Sequence, residues 1–347
     1  MRVSRIVGID VARGIAIIGM FAAHTVPRPS ASELLVDGRP SILFATLAGV
    51  SIGLLTGGDA PRQSGRVAAL RGIAIRALVL FLIGVALSIL PSGIAVILDY
   101  YGVMFLLMLP AVFLPRAALA LLAVAIAIVA PLLASAAEST VSTGWAGLAA
   151  EYLLIGRYPA FVWLPFLLVG LLCARSDLRS PKTQRWMVGA GTIAMVVGYA
   201  AAFVLPGVSA EAHSGSTAEL VGSGGFAIAV IGVLLRLAQR RGFAAALSPI
   251  AAAGSMPLTS YTLQVLVLAG CSWLAGTVAG TVAGTVDWVP EYPGWPLLIG
   301  LTIASLLFAM VWRRFFGAGP LERLLRLVAG FDRGASKRRS NSSAGRR

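Results

Sequence analysis

The sequence predicts an all-α, polytopic integral membrane protein of about ten transmembrane helices, with both termini in the cytoplasm. Three observations predict it. Hydrophobic residues make up 58 % of the chain and charged residues 12 %, about half the roughly 25 % of a soluble domain. Mean hydropathy is +0.88. Apolar stretches recur at about the 20-residue length that a spanning helix needs, and basic residues collect in alternate links between them.

The spans run roughly over 6–26, 40–57, 72–90, 94–113, 117–134, 158–174, 186–205, 222–237, 247–270 and 295–312. The first could pass for a signal peptide behind Arg2 and Arg5. Asp10 and Arg13 interrupt its apolar core, however, and Phe21-Ala22-Ala23 is a poor cleavage site, so it reads as retained. Pro91-Ser92-Gly93 marks an outer turn between spans three and four, and Leu114-Pro115-Arg116 an inner turn between four and five. Residues 1–331 form one transmembrane unit, followed by a basic, Ser- and Gly-rich tail over 332–347 that reads as disordered and near anionic lipid. Gly276, Gly280 and Gly284 of a Gly-Thr-Val-Ala repeat form a ladder suited to close helix contact, or belong to a low-complexity loop.

A net charge of +14 invites a nucleic-acid reading. The distribution of the charge argues against it. Of the 28 Lys and Arg, all but Arg13, Arg28, Arg39 and Arg157 fall on cytoplasmic stretches, so topology accounts for them and the bilayer is the expected partner. Cys173 and Cys271 belong to opposite membrane faces and cannot bond to each other; with two histidines they give no metal signature. Outer-surface aromatics (Trp145, Tyr158, Trp163, Trp273, Trp288, Tyr292 and Trp295) read mainly as an interfacial belt.

The residues that can carry chemistry begin in the first helix. Asp10 and Arg13 are i,i+3 neighbours and can pair. His24 follows Arg13 by eleven residues, three turns along nearly the same stripe and about 16 Å away. Ionisable groups on a spanning helix usually face a protein interior or a wet cavity. His24 can take a proton or accept an acyl group; the plainer reading is an interfacial histidine bonded to a carbonyl. Arg13 can meet phosphate or carboxylate oxygens, or serve only as the partner of Asp10. Asp99, early in span four, is an intramembrane carboxylate that could orient His24 as an Asp orients a triad base, or bond to a neighbouring helix end. Asp37 and Arg39 open onto the His24 face as candidate acceptor-binding residues, or as a surface pair. Arg71 and Arg76, at the inner start of span three, could meet phosphates or simply mark the positive-inside side. His213 lies in a Ser/Gly-rich loop with little to single it out.

Arg13 and His24 have the spacing R-x10-H within Ile9-Asp10-Val11-Ala12-Arg13-Gly14-Ile15-Ala16. This resembles membrane-bound acyltransferases, most closely the catalytic domain of heparan-α-glucosaminide N-acetyltransferase-like proteins and more distantly the acyltransferase-3 family. The stretch from Asp37-Gly38-Arg39-Pro40 to Ala48-Gly49-Val50-Ser51 resembles the same domain. Gly254-Ser255-Met256-Pro257-Leu258-Thr259-Ser260-Tyr261-Thr262-Leu263-Gln264 and Gly319-Pro320-Leu321-Glu322-Arg323-Leu324-Leu325-Arg326 resemble the YeiB-like proteins, whose function is unassigned. The resemblance implies passage of an acyl group, expected to be acetyl, from cytoplasmic acetyl-CoA or another acyl-CoA to an acceptor at the outer face. His24 would be base or acyl carrier and Arg13 would help hold the donor. The Arg13–His24 separation is comparable to a pantetheine arm. The eukaryotic acetyltransferase carries a luminal domain before its first helix and this sequence places none there, so the acceptor need not be a glycosaminoglycan; the expected acceptor is an envelope saccharide or lipid-linked glycan. The expected location is the plasma (inner) membrane and no metal is expected; the oligomeric state is left open. A transporter or flippase, with the polar stripe lining a pathway, is the rival class, and a non-catalytic membrane partner the third.

Overall fold

The computed structural model describes residues 5–26, 38–138, 143–278 and 292–330. Asp37, Trp288, the Gly-Thr-Val-Ala repeat from residue 279 on and the tail over 332–347 lie outside the described residues. Among the described residues the regular structure is helical throughout.

The described residues form fourteen α-helices in order: α1 Val7–Thr25, α2 Arg39–Leu55, α3 Arg66–Ser88, α4 Leu98–Met108, α5 Arg116–Glu138, α6 Gly144–Ala150, α7 Ala160–Ala174, α8 Pro181–Val204, α9 Thr217–Leu237, α10 Arg241–Ala246, α11 Ser248–Gly254, α12 Pro257–Val278, α13 Trp295–Phe316 and α14 Pro320–Val328. Seven of them are long and apolar enough to cross a membrane: α1, α3, α5, α8, α9, α12 over Pro257–Ala275, and α13. A bent pair, Gly144–Ile155 with Ala160–Ala174, makes an eighth if counted as one span. The stretches expected at 40–57 and 94–113 are helical but short, as α2 and as Leu98–Ala111. The ninth expected span, 247–270, is two helices. Pro257 has no N–H to continue α11 and disfavours helical backbone at Met256, so the chain breaks there and restarts as α12.

The first helix is at the centre. Ile9, Val11, Ala12, Ala16, Ile17, Met20 and Phe21 are each at most 2 % exposed, whereas α5, α8 and α13 leave most of their apolar surface outward, as lipid-facing helices do. α1 meets α2 and α9 on one side and α11 and α13 on the other. Its approach to α11 is very close: a Cβ on Gly254 would lie 1.8 Å from the Asp10 carbonyl oxygen, and one on Gly14 2.2 Å from that of Ile250. Only glycine lets the two backbones come this near, the contact mode of helices packed in a membrane.

The ends of the helices are fastened by polar groups with few alternatives. Arg175, 4 % exposed, donates to the carbonyls of Gly53 (3.3 Å), Gly58 (2.8 Å) and Val112 (2.6 Å) and to Thr56 Oγ1 (2.9 Å), joining the ends of α2, α4 and α7. Burial lowers its pKa from the usual arginine value, yet every acceptor is an oxygen dipole that favours the cation. At the opposite end Glu219 accepts from the backbone N–H groups of His213 and Gly215, both at 2.8 Å, and shapes the loop before α9. His213, with φ 63°, stacks there on Trp163 at 5.9 Å. Tyr158 and Trp163, counted above with the interfacial aromatics, are therefore core residues, 5 % and 3 % exposed. Trp145, Trp273 and Trp295 face outward. Cys173 and Cys271 are both free.

Candidate active site

A cavity of about 260 Å³ opens between α1, α2, α3, α4, α12 and α14, near the small end of the roughly 300–1,000 Å³ typical of ligand pockets. Its walls are mostly apolar, with Phe44, Ala48 and Leu55 from α2, Leu80 from α3, Phe105 from α4 and Leu258 from α12. The polar groups that face it are few. Arg13, Arg76, Ser51, Tyr101, Ser255, Tyr261 and Glu322 line it.

Arg13 is held from two sides. Its Nη1 donates to Asp10 Oδ1 at 3.0 Å, one turn back, and its Nη2 donates to Ser51 Oγ at 2.8 Å across the α1–α2 contact. Asp10 also meets Arg5 Nε at 3.4 Å. Asp10 thus sits behind Arg13 as its partner, while the guanidinium reaches the cavity wall. Arg76 faces the same cavity from α3. Arg71, five residues earlier, is exposed and is not among the lining residues. Two guanidiniums at an apolar cavity suit a ligand with phosphates or a carboxylate at one end and a less polar body.

The wall nearest α14 is organised by a glutamate. Glu322 Oε1 accepts from the N–H groups of Leu258 (2.7 Å) and Thr259 (3.1 Å), and its Oε2 accepts from Thr259 Oγ1 at 2.6 Å. The two N–H groups are orphan donors of the first turn of α12, so Glu322 caps that helix from another segment.

Leu98, Tyr101 and Tyr261 also line the cavity. The N–H of Ile97 donates to the Tyr261 hydroxyl at 3.3 Å, which ties α12 to the start of α4. His24 does not line the cavity. It stands beyond the Tyr261 turn: Gln264, three residues along α12 and hence on the same helix face, has its Nε2 2.8 Å from His24 Nδ1 and donates to the Met20 carbonyl at 3.3 Å. One helical turn, about 5 Å of rise, therefore separates a residue that lines the cavity from the one that holds the histidine.

The remaining expected site residues fall elsewhere. Asp99 makes no hydrogen bond to His24. Its Oδ2 accepts from Tyr152 at 2.9 Å and its Oδ1 is buried without a hydrogen-bond partner. The physical reason is the approach of α3, where a Cβ on Gly84 would lie 2.1 Å from the Asp99 backbone nitrogen, seating the carboxylate among α3, α4 and Tyr152. The orienting bond at His24 Nδ1 comes from Gln264 instead. Arg39 is 3 % exposed and committed to Ser223 Oγ (2.7 Å), the Ala210 carbonyl (3.1 Å) and the face of Tyr199, with 5.0 Å to the ring centre. It fastens α2 to α9. Among the described residues no three His, Cys, Asp or Glu side chains gather as a metal site would require.

Residues 5–201, more than half of the chain, match the family model described as heparan-alpha-glucosaminide N-acetyltransferase, catalytic. The chain belongs to that family. Residues 172–331 match a second family model, described as a protein of unknown function (DUF418), which agrees with the two-part resemblance of the motifs. No curated protein matches the chain. Family membership implies a membrane acyltransferase with a co-substrate of the acyl-CoA type. The two matched regions meet at one site: Arg13, Ser51, Arg76 and His24 lie in the first, and Tyr261, Gln264 and Glu322 in the second.

Proposed function

We propose that this protein is a transmembrane acyltransferase that moves an acyl group, acetyl in the simplest case, from acyl-CoA on the cytoplasmic side to an envelope saccharide or lipid-linked glycan at the outer face. The observation that carries the reading is one cavity faced by two guanidiniums and walled by the helix that holds the imidazole. Arg13 and Arg76 face an apolar cavity, and Tyr261 of its lining stands one turn of α12 from Gln264, the residue that holds His24. Arg13 and Arg76 hold the charged part of the donor, the apolar walls take the pantetheine arm, and the thioester meets His24 at the reacting centre. Asp37, which precedes α2 in the sequence, binds the acceptor, which arrives at the His24 end of the bundle. The helix ends bearing Arg62, Arg66, Arg116, Arg179, Lys182, Arg185, Arg240 and Arg241 lie in the cytoplasm, by the positive-inside rule. This orientation puts both termini there and, with α2, α4 and the bent pair counted, gives ten crossings of the plasma membrane.

The experiment uses protein purified in detergent, radiolabelled acetyl-CoA and crude envelope extract, with wild type beside His24→Ala checked by gel filtration. Thioester loss with label appearing in a glycan or glycolipid, absent from His24→Ala, is the expected result. Equal turnover in both would remove His24 from the chemistry. Absence of acetyl-CoA binding by either would favour a transporter.

A further inference from the structure

The contact between Gln264 and His24 contains information about where the imidazole proton sits. A side-chain amide has one end that only donates and one that only accepts, and a neutral imidazole has one nitrogen of each kind. The end of Gln264 facing His24 Nδ1 is also 3.3 Å from the Met20 carbonyl oxygen. A carbonyl only accepts, so it demands the NH2 end. With the amide placed this way, one N–H goes to Met20 and the other to His24, and two hydrogen bonds form. Turned over, the amide oxygen would face the Met20 oxygen, and at most the bond to His24 would remain. Gln264 is fully buried, and its Oε1 end has no hydrogen-bond partner among the described residues, so turning the amide over gains no bond there. The bond to His24 is therefore one in which Nδ1 accepts. In the neutral ring the proton is then on Nε2.

We propose that Gln264 is a positioning residue that fixes His24 as the Nε2–H tautomer, so that the histidine offers the reaction a hydrogen-bond donor instead of a basic lone pair. This rests on the acyltransferase reading above and assigns His24 a role different from the base or acyl carrier expected from the resemblance. In the transfer step the acceptor's nitrogen or oxygen bonds to the thioester carbonyl carbon. The carbonyl π electrons move onto its oxygen, which takes the hydrogen bond from His24 Nε2–H. As the carbonyl re-forms, the carbon–sulfur bond breaks, its electron pair goes to sulfur, and the proton shed by the acceptor ends on the CoA thiol. His24 keeps its own proton. Preorganised donors aimed at a developing oxyanion are commonly the largest single contribution to such catalysis. The residue that sets this up belongs to the C-terminal matched region, which gives that region a part in the chemistry.

The chain has two histidines, so the protonation of His24 can be read directly. His213→Asn leaves His24 as the single histidine, and Asn suits the positive φ at that position. Nitrogen NMR of the 15N-histidine-labelled protein in micelles is expected to show a proton on Nε2 and none on Nδ1. A proton on Nδ1 would overturn the proposal, whether or not acyl transfer is detected; conversely, the Nε2–H signal without any acyl transfer would sink the acyltransferase reading and leave the tautomer assignment standing. Gln264→Leu removes the donor at similar volume. It is expected to lose the fixed tautomer and to lower kcat about 100-fold, as for one misplaced oxyanion donor, with the KM for acetyl-CoA unchanged because Gln264 does not line the cavity. Unchanged kcat and an unchanged spectrum in Gln264→Leu would equally overturn the proposal.

Discussion

Arg13→Gln separates two roles that share one side chain. Arg13 pairs with Asp10 at 3.0 Å, with 17 % and 9 % of the two side chains exposed, and it also faces the cavity. Removing one partner of a buried pair leaves the other charge stranded, a loss of about 3–5 kcal/mol in general. Here Arg5 stays 3.4 Å from Asp10, but its side chain is 48 % exposed. A pair that exposed is worth about 0–1 kcal/mol, so the expected loss of stability is about 2–5 kcal/mol. Adding Asp10→Asn removes the stranded charge, and the double variant should recover most of that loss. Binding of acetyl-CoA should not recover. One charge-assisted hydrogen bond contributes about 1.5–3 kcal/mol, so both variants should bind about 10- to 100-fold more weakly than wild type. Stability is followed by SDS titration of the micellar protein with tryptophan fluorescence, and binding by equilibrium dialysis with labelled acetyl-CoA. A double variant that binds like wild type would reduce Arg13 to a structural partner. A single variant as stable as wild type would refute the burial reasoning.

Three further outcomes follow from the same geometry. Arg76→Gln should weaken acetyl-CoA binding about tenfold, the equivalent of about 1.4 kcal/mol, whereas Arg71→Gln should leave it unchanged, since only Arg76 faces the cavity; parallel dialysis of the two variants checks this. Arg175→Lys keeps the charge but cannot supply the four bonds that join α2, α4 and α7, so a loss of about 2–3 kcal/mol is expected in the SDS titration. Gly254→Ala brings a methyl group to 1.8 Å from the Asp10 carbonyl oxygen, where ordinary contact starts at 3.4 Å. The α1 and α11 backbones must part by about 1.6 Å, at the costly end of the roughly 1–3 kcal/mol of overpacking, and lower stability should come with weaker acetyl-CoA binding as Arg13 moves.

Much of this arrangement was legible in the chain. Span lengths and the basic links pointed to the helix bundle, and the i,i+3 spacing of Asp10 and Arg13 gave their pairing. The break before Pro257 shows where apolar length alone misleads, because hydropathy does not register a missing N–H. Asp99 reads from the sequence as an intramembrane carboxylate with two alternative partners, and the one it meets, Tyr152, depends on the close approach of α3 at Gly84, a tertiary fact. Arg175 looked like one more positive-inside marker, since nothing local separates an arginine that caps three helix ends from one in solvent. Gln264, Tyr261 and Glu322 all stand in the stretches that carry the C-terminal resemblance. Their roles were invisible because each acts on a residue tens to hundreds of positions away.

The central claim is that the cavity at Arg13 and Arg76 receives acyl-CoA, and equilibrium binding of labelled acetyl-CoA to the purified protein tests it most directly. Ala48 lines the cavity from α2, and Ala48→Trp should fill it while both arginines stay in the sequence. Saturable binding by wild type that is lost in a folded Ala48→Trp protein is the predicted result. Equal binding by the two proteins would place acyl-CoA elsewhere and contradict the account.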